Sequence, residues 1–578
     1  MRHIIIFKLT RMGDIVEASP LVQCIRAQEP DAHITLVINE AFRTTAELLE
    51  DVDEIIGYPI TATAEELRTG CRDLVTHYTG LEAFADALST RCYDLAINAT
   101  NSKLSGLLMG FVRAQSFRGL RYEDDGARVT SGAFLRYFAP NEGMRRTCPF
   151  NLSDFIRALY ATPGYPITGA LSLKREVKDR ARALLGDAPP LRVGLQLGAS
   201  ESSKRWHLSA FSTLALELID QGVSSIVLLG AADEMPLGNA FLERLSGQAA
   251  HVHNLIGRTQ VDELAACLET LDLLISNDTG TMHLAAAVGT TVINLSLGSA
   301  WFRETAPYGE GHLILEPRTP CRPCAFSFEC EHFQCKKEMN PAAVARLAIA
   351  MLKNAPLPLP PDIPFDVYRT SFDPDGHLDY IRLTPRPSKP DEVMNLIFRI
   401  VIAQEELGGD FDKRLAWMIQ RLQAESPGLE RDCIDLLRKN ADDCIHLYHL
   451  ALDGIATSDH ALEALNSADA LRIRYLLERL GEVDRETSRA GEDNPFLRLL
   501  TRGHLLLKES IRGTRLDLLL TAHRMASVGL RTSALHCHRA IELVVKTFEN
   551  APRVTGTDPV DPLPLNDHRC RLNPAGPL

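Results

Sequence analysis

Asp278, Thr279 and Gly280 close an apolar run, Leu273-Leu274-Ile275, and open an Ala-rich segment that carries His283 about one turn in. A strand, a small polar turn and a helix in that order aim the unpaired N–H groups of the first helical turn, and the positive end of its dipole, beyond the strand end. That is a natural seat for a phosphate. Asp278 or Thr279 is suited to cap the helix, Gly280 removes a side chain where a ligand must approach, and His283 faces the same mouth. An ordinary capped helix is the alternative. Lys204 falls in a loop at the same sheet edge, where its ammonium suits a phosphate, and Ser202 and Ser203 beside it offer hydroxyls. A surface lysine is the plainer reading. Near the start of the chain, Asp14 follows Gly13 just beyond the strand-like run His3–Phe7, where a carboxylate is either a general base or a helix cap.

Four of the thirteen cysteines are grouped. Cys321, Cys324, Cys330 and Cys335 follow the spacing C-x2-C-x5-C-x4-C, short enough to surround one tetrahedral ion as a structural metal site. Zinc suits four thiolates and iron is also open, while thiols that only pack the end of a domain are the alternative. The other nine are scattered in apolar contexts, as free core cysteines are.

The elements that must position these groups alternate. HIIIF (3–7) and ITLVI (34–38) read as strands around a helical segment, with a further helix around Thr45–Glu50 and a strand at YDLAINAT (93–100). After Pro163 and Pro166 the pattern repeats: RVGLQLGAS, a long helix after Trp206, SSIVLLGAADE, DELAACLETL, and the strand, turn and helix around Asp278. Two such runs predict an α/β protein of two doubly wound parallel sheets facing across a cleft, with ligands at the carboxyl ends of the strands. Asp51-Val52-Asp53 and Asp373-Pro374-Asp375-Gly376 read as turns rather than metal sites.

The divisions this implies are residues 1–165, residues 166–353 with a Cys-rich loop at 320–336, a Pro-rich linker and hairpin at 354–390, a mainly α-helical domain at 391–550, and a Pro-rich tail at 551–578 expected to be disordered. His504, His523, His536 and His538 in the helical part fit no ligand set by spacing. The formal net charge of −13 speaks against a nucleic-acid binder. The first residues read as neither signal peptide nor membrane span, which makes a soluble cytoplasmic protein the expectation. Against that acidic whole, arginines gather from Lys103 to Arg146, Arg118 and Arg121 among them, either to face an anionic acceptor or as a solvated face.

Taken together, Lys8-Leu9-x-x-Met12-Gly13-Asp14, Gly198-Ala199-Ser200 with Lys204-Arg205-Trp206, Gly230-Ala231, Leu255-Ile256-Gly257-Arg258-Thr259 and Asn277-Asp278-Thr279-Gly280-x-x-His283 resemble glycosyltransferase family 9. The likeness runs in order over about residues 1–352. That family includes the heptosyltransferases of lipopolysaccharide core assembly. The resemblance implies a GT-B fold, with the acceptor held by the N-terminal Rossmann-like domain and ADP-heptose by the C-terminal one. It implies inversion at the anomeric carbon with no cofactor for catalysis. Asp14 would be the base and Lys204 a partner of the leaving diphosphate, while Asp278, Thr279, Gly280 and His283 position the nucleotide sugar. A related group of protein-modifying heptosyltransferases holds iron in a cysteine loop, which bears on Cys321 to Cys335.

The expected function is therefore an inverting, metal-independent transfer of heptose, or a similar sugar, to an acceptor hydroxyl of lipopolysaccharide core or a related surface glycan. Membrane contact would be at most peripheral, at the inner face of the inner membrane. One alternative keeps the enzyme and makes the acceptor a protein. Another is a non-catalytic nucleotide-sugar-binding or assembly protein, against which the retention of both Asp14 and Lys204 speaks. A nucleotide-sugar epimerase or dehydrogenase is disfavoured because no G-x-G-x-x-G follows the first strand.

Overall fold

The computed structural model describes residues 1–58, 60, 74–132, 148–161, 169, 171–186, 191–245, 247–325, 330–426, 428–510 and 515–549. The 551–578 tail, and Arg136, Arg145 and Arg146 of the basic stretch, lie outside them.

The first sheet has six strands: β1 (His3–Lys8), β2 (His33–Asn39), β3 (Glu54–Tyr58), β4 (Cys92–Asn98), β5 (Arg113–Tyr122) and β6 (Arg128–Ser131). Their order is β3-β2-β1-β4-β5-β6, parallel except for β6. Buried on both faces, β1 carries Ile4, Ile5, Ile6 and Phe7 without a polar interruption, as a central parallel strand should. The helix expected near Thr45–Glu50 is shorter and earlier, Arg43–Ala46, with a turn after it.

The second sheet contains β7 (Arg192–Gln196), β8 (Ser225–Leu229), β9 (Val252–Asn254), β10 (Leu273–Asn277), β11 (Val292–Leu295) and β12 (Leu313–Pro317). It repeats the first sheet's winding, β9-β8-β7-β10-β11-β12. In each sheet the order reverses beside the central strand, which opens a crevice at the carboxyl ends of β1 and β4, and of β7 and β10. Two Rossmann-like halves of this kind make a GT-B fold, followed by a helical C-terminal region.

The hairpin expected in 354–390 forms as β13 (Phe365–Phe372) and β14 (Leu378–Arg382) around the Asp373–Gly376 turn. It is no free-standing linker. β13 pairs antiparallel with β12, so the hairpin widens the second sheet to eight strands and covers its edge. Beyond it, the helices Arg431–Asn466 and Leu516–Glu549 pack along each other as the spine of the helical region. One apolar core joins Phe398, Leu437, Leu447 and Ile541 of that region to Cys148, Phe150 and Phe155. The segment around the Leu152–Ala158 helix also sends Ile156 and Leu159 into the core of the first sheet, so it is shared by both. Among the described residues no helix is long and apolar enough to cross a membrane.

Candidate active site

The two crevices meet at the N-termini of two helices, Met12–Glu17 after β1 and Gly280–Ala287 after β10. Both helices present glycine at this contact. A Cβ on Gly13 would stand 3.1 Å from His283 Cδ2 and 3.3 Å from Gly280 Cα. Asp14, Lys204, Asp278 and His283 are thereby gathered around one interface, although they come from opposite halves of the chain.

Asp14 is half-buried at the third helical position, and its Oδ2 accepts the Arg11 N–H at 2.8 Å. The cap and the candidate base are thus the same carboxylate. Burial alone would raise its pKa, but Lys8, the Thr10 hydroxyl, the Arg11 N–H and His283 together hold it below the usual value. The group is ionised at neutral pH. Lys8, at the end of β1, is buried with its Nζ 3.4 Å from Ala99 O.

On the facing lip, Lys204 Nζ donates to Asp278 Oδ2 at 3.1 Å, and the Thr305 hydroxyl donates to the same oxygen at 3.1 Å. Asp278 therefore acts on Lys204 rather than as a helix cap. Thr279 occupies the cap position with extended backbone but makes no side-chain cap hydrogen bond, and Gly280 begins the helix. The loop that carries Lys204 is tied down behind it. Asn277 Nδ2 donates to the carbonyls of Gln196, Leu197 and Gly198, while its Oδ1 accepts the Trp206 N–H. Trp206 is an anchor: it is buried edge-on against Phe211, and its ring N–H donates to Lys336 O.

The two serines differ. Ser202 is exposed and its carbonyl accepts from Lys336 Nζ at 2.8 Å, whereas Ser203 is buried with its hydroxyl toward Glu201 and Ser299. His283 is buried, which lowers its pKa against the pull of Asp278 and Asp14. Its Nε2 stands 3.6 Å from Oε1 of Glu17, a residue the sequence reading passed over. Arg118 and Arg121 are engaged locally at the end of β5. Arg118 donates to Phe117 O, and Arg121 pairs with Glu123 and rests over the Phe117 ring.

The cysteine cluster does not gain a ligand set. Among the described residues no group of three or more His, Cys, Asp or Glu side chains is arranged to hold a metal ion, so the expected zinc or iron site is unsupported. All four thiols are free, from the exposed Cys321 to Cys335, which is buried in the second sheet's core. Burial raises the Cys324 pKa, and Cys321, Cys335 and Cys330 nearby add to it.

Two doubly wound halves that meet at one interface, with Asp14 on one side and the Lys204–Asp278 pair on the other, have a GT-B architecture. The family comparison agrees, since residues 81–332 match glycosyltransferase family 9 (heptosyltransferase). Over that span the chain is similar to the family 9 heptosyltransferases. It is 31% identical over 205 residues to lipooligosaccharide heptosyltransferase 2 of Campylobacter jejuni, a match over 33% of this chain and 63% of that protein. Lipopolysaccharide heptosyltransferase 2 of Salmonella typhimurium is 26% identical over 301 residues, 49% of this chain and 79% of its own. The solved structure of E. coli ADP-heptose lps heptosyltransferase II superposes with a TM-score of 0.46 at 21% identity, over 61% of this chain and 99% of that one.

Proposed function

We propose that this chain transfers heptose from ADP-heptose to a hydroxyl of a lipopolysaccharide-core acceptor, with inversion and without a metal ion. The observation that carries the reading is the packing of the helix that bears Asp14 against the Gly280–Ala287 helix, on the half that carries the Lys204–Asp278 pair. Asp14 takes the acceptor proton as the acceptor oxygen attacks the anomeric carbon, and the bond from that carbon to the diphosphate breaks on the opposite face. A single displacement inverts the centre. Negative charge then grows on the diphosphate, where Lys204 and the helix N–H groups stabilise it. Asp278 and Thr305 position Lys204; Ser202, Thr279 and Gly280 border the donor, with His283 at the interface behind them. In this reading residues 1–165 hold the acceptor, with Arg118 and Arg121 at its rim, and residues 166–353 hold the nucleotide sugar. The work is done in the cytoplasm, at the inner face of the membrane that holds the acceptor.

Calorimetric titration with ADP, UDP and ADP-heptose tests the donor half, alongside a Lys204→Ala, Asp278→Ala double variant. Preferential binding of the adenine ligands, lost in the double variant, is expected; equal binding of UDP would refute the donor assignment. Asp14→Asn tests the chemistry: donor binding survives while turnover falls by about two to four orders of magnitude. Turnover at the wild-type level would reduce Asp14 to its role as a cap.

A further inference from the structure

Glu17 has no part in the transfer as set out above, yet it is the most unusual group near it. It lies one turn after Asp14 on the same helix, fully inside the interface. Its Oε1 faces His283 Nε2 of the other half at 3.6 Å, and its Oε2 has no hydrogen-bond partner among the described residues. A cavity of about 10 Å³ adjoins it, lined also by Ser153, His283 and Tyr308, and Ser153 Oγ likewise lacks a partner among the described residues.

We propose that Glu17 is a positioning residue for the transfer reaction: its carboxyl group holds the His283 imidazole across the interface and so sets the helix that faces the leaving diphosphate. The proposal rests on the glycosyl-transfer reading for its catalytic consequence and on geometry alone for the contact. Facing Glu17 are Asp14 of its own helix, Lys8 of β1, Asp278 and His283 of the second half, and Glu304 of the Phe302–Thr305 helix. Carboxylates dominate that set. Burial first, then Asp14, Asp278 and Glu304, outweigh Lys8 and push the Glu17 pKa up to about 8. A neutral acid can donate its O–H to a neutral imidazole. Once ionised, Glu17 loses that donor and repels the carboxylates on both lips. Two carboxyls one turn apart thus divide the work, Asp14 charged and Glu17 neutral.

The test follows the His283 ring directly, using full-length protein labelled at histidine ¹³Cε1, with the signal assigned by its loss in His283→Gln. In the wild type the signal inflects near the Glu17 pKa of about 8, and kcat falls above the same pH. In Glu17→Gln, whose amide can donate but cannot ionise, both inflections vanish. Glu17→Met, similar in length and unable to donate, also removes the inflection and lowers kcat about tenfold at pH 7, with the acceptor KM unchanged. Retention of the His283 inflection in either variant overturns the proposal. A wild type that shows the inflection but transfers no heptose would instead overturn the functional reading and leave the contact standing.

Discussion

Gly13 and Gly280 touch backbone to backbone across the two halves of the molecule: a Cβ on Gly280 would lie 3.3 Å from Gly13 N and 2.5 Å from Met12 Cε. Each glycine begins or nearly begins a helix, so the two positive helix ends are packed together. The approach leaves no room for a methyl group on the Gly13 side without displacing the His283 ring or the facing backbone.

Gly13→Ala is accordingly expected to lower kcat by about tenfold or more, since small misplacements of catalytic groups are costly. Nucleotide binding to the second half should weaken by less, since of the groups assigned to the donor only Gly280 and His283 lie against Gly13. Steady-state kinetics beside calorimetry would separate the two. Unchanged kcat would show that the halves have slack at this point.

Glu17 also predicts a pH dependence of stability. Its pKa rises from 4.5 in an ordinary setting to about 8 in the folded protein, so between those values the unfolded chain releases a proton that the native state keeps. Native stability therefore falls as pH rises through that window. Glu17→Gln escapes this cost, and its stability advantage over wild type should widen from pH 4.5 to about pH 8, by an amount on the order of a few kcal/mol. Denaturant unfolding at pH 5 and pH 8 measures it; an advantage that is the same at both pH values would contradict the buried neutral acid.

Arg399 is buried between the hairpin and the first half. Its Nε donates to Asp373 Oδ2 at 2.7 Å and its Nη1 to Pro149 O at 2.9 Å. Burial would raise the Asp373 pKa, yet Arg399 and His377 hold it far below the ordinary carboxylate range. Arg399→Met strands that charge, and a loss of about 3–5 kcal/mol is expected on equilibrium unfolding. A loss below about 1 kcal/mol would mean that water reaches Asp373.

Cutting the chain after Lys353 removes β13 and β14, bares the edge of β12 and uncovers Cys148, Phe150 and Phe155. The shortened protein should aggregate or show exposed apolar surface by dye binding. A monodisperse, active fragment would show that the extension is dispensable to the fold.

The sequence made the strand and helix order of both halves legible because parallel strands buried on two faces leave long apolar runs, as at Ile4–Phe7 and Leu273–Ile275. The pairing of Lys204 with Asp278 was foreshadowed only as two residues at one sheet edge. Glu17 left a faint signal, an acid between Val16 and Ala18 in an otherwise apolar stretch and three residues after Asp14. Nothing local could show that a histidine 266 positions later would face it. The hairpin's attachment to β12 was hidden for the same reason, since an edge strand's partner depends on tertiary approach rather than on its own pattern. At Cys321 to Cys335 the spacing suggested a shared centre, and among the described residues no group of three or more such side chains is arranged to hold an ion.

Asp154 takes the Tyr308 hydroxyl at 2.7 Å, Arg157 at 3.3 Å and the Leu378 N–H at 3.0 Å, while Arg157 reaches Gly376 O and Asn151 reaches Tyr380. The segment that carries these groups is rooted in the first half and riveted to the second half's hairpin and its helical buttress. In mechanical terms it is a fulcrum. Any opening of the jaws at Gly13 and Gly280 must swing about this pinned corner and carry the helical buttress with it, so the travel of the jaws is set by a joint whose parts come from three regions of the chain.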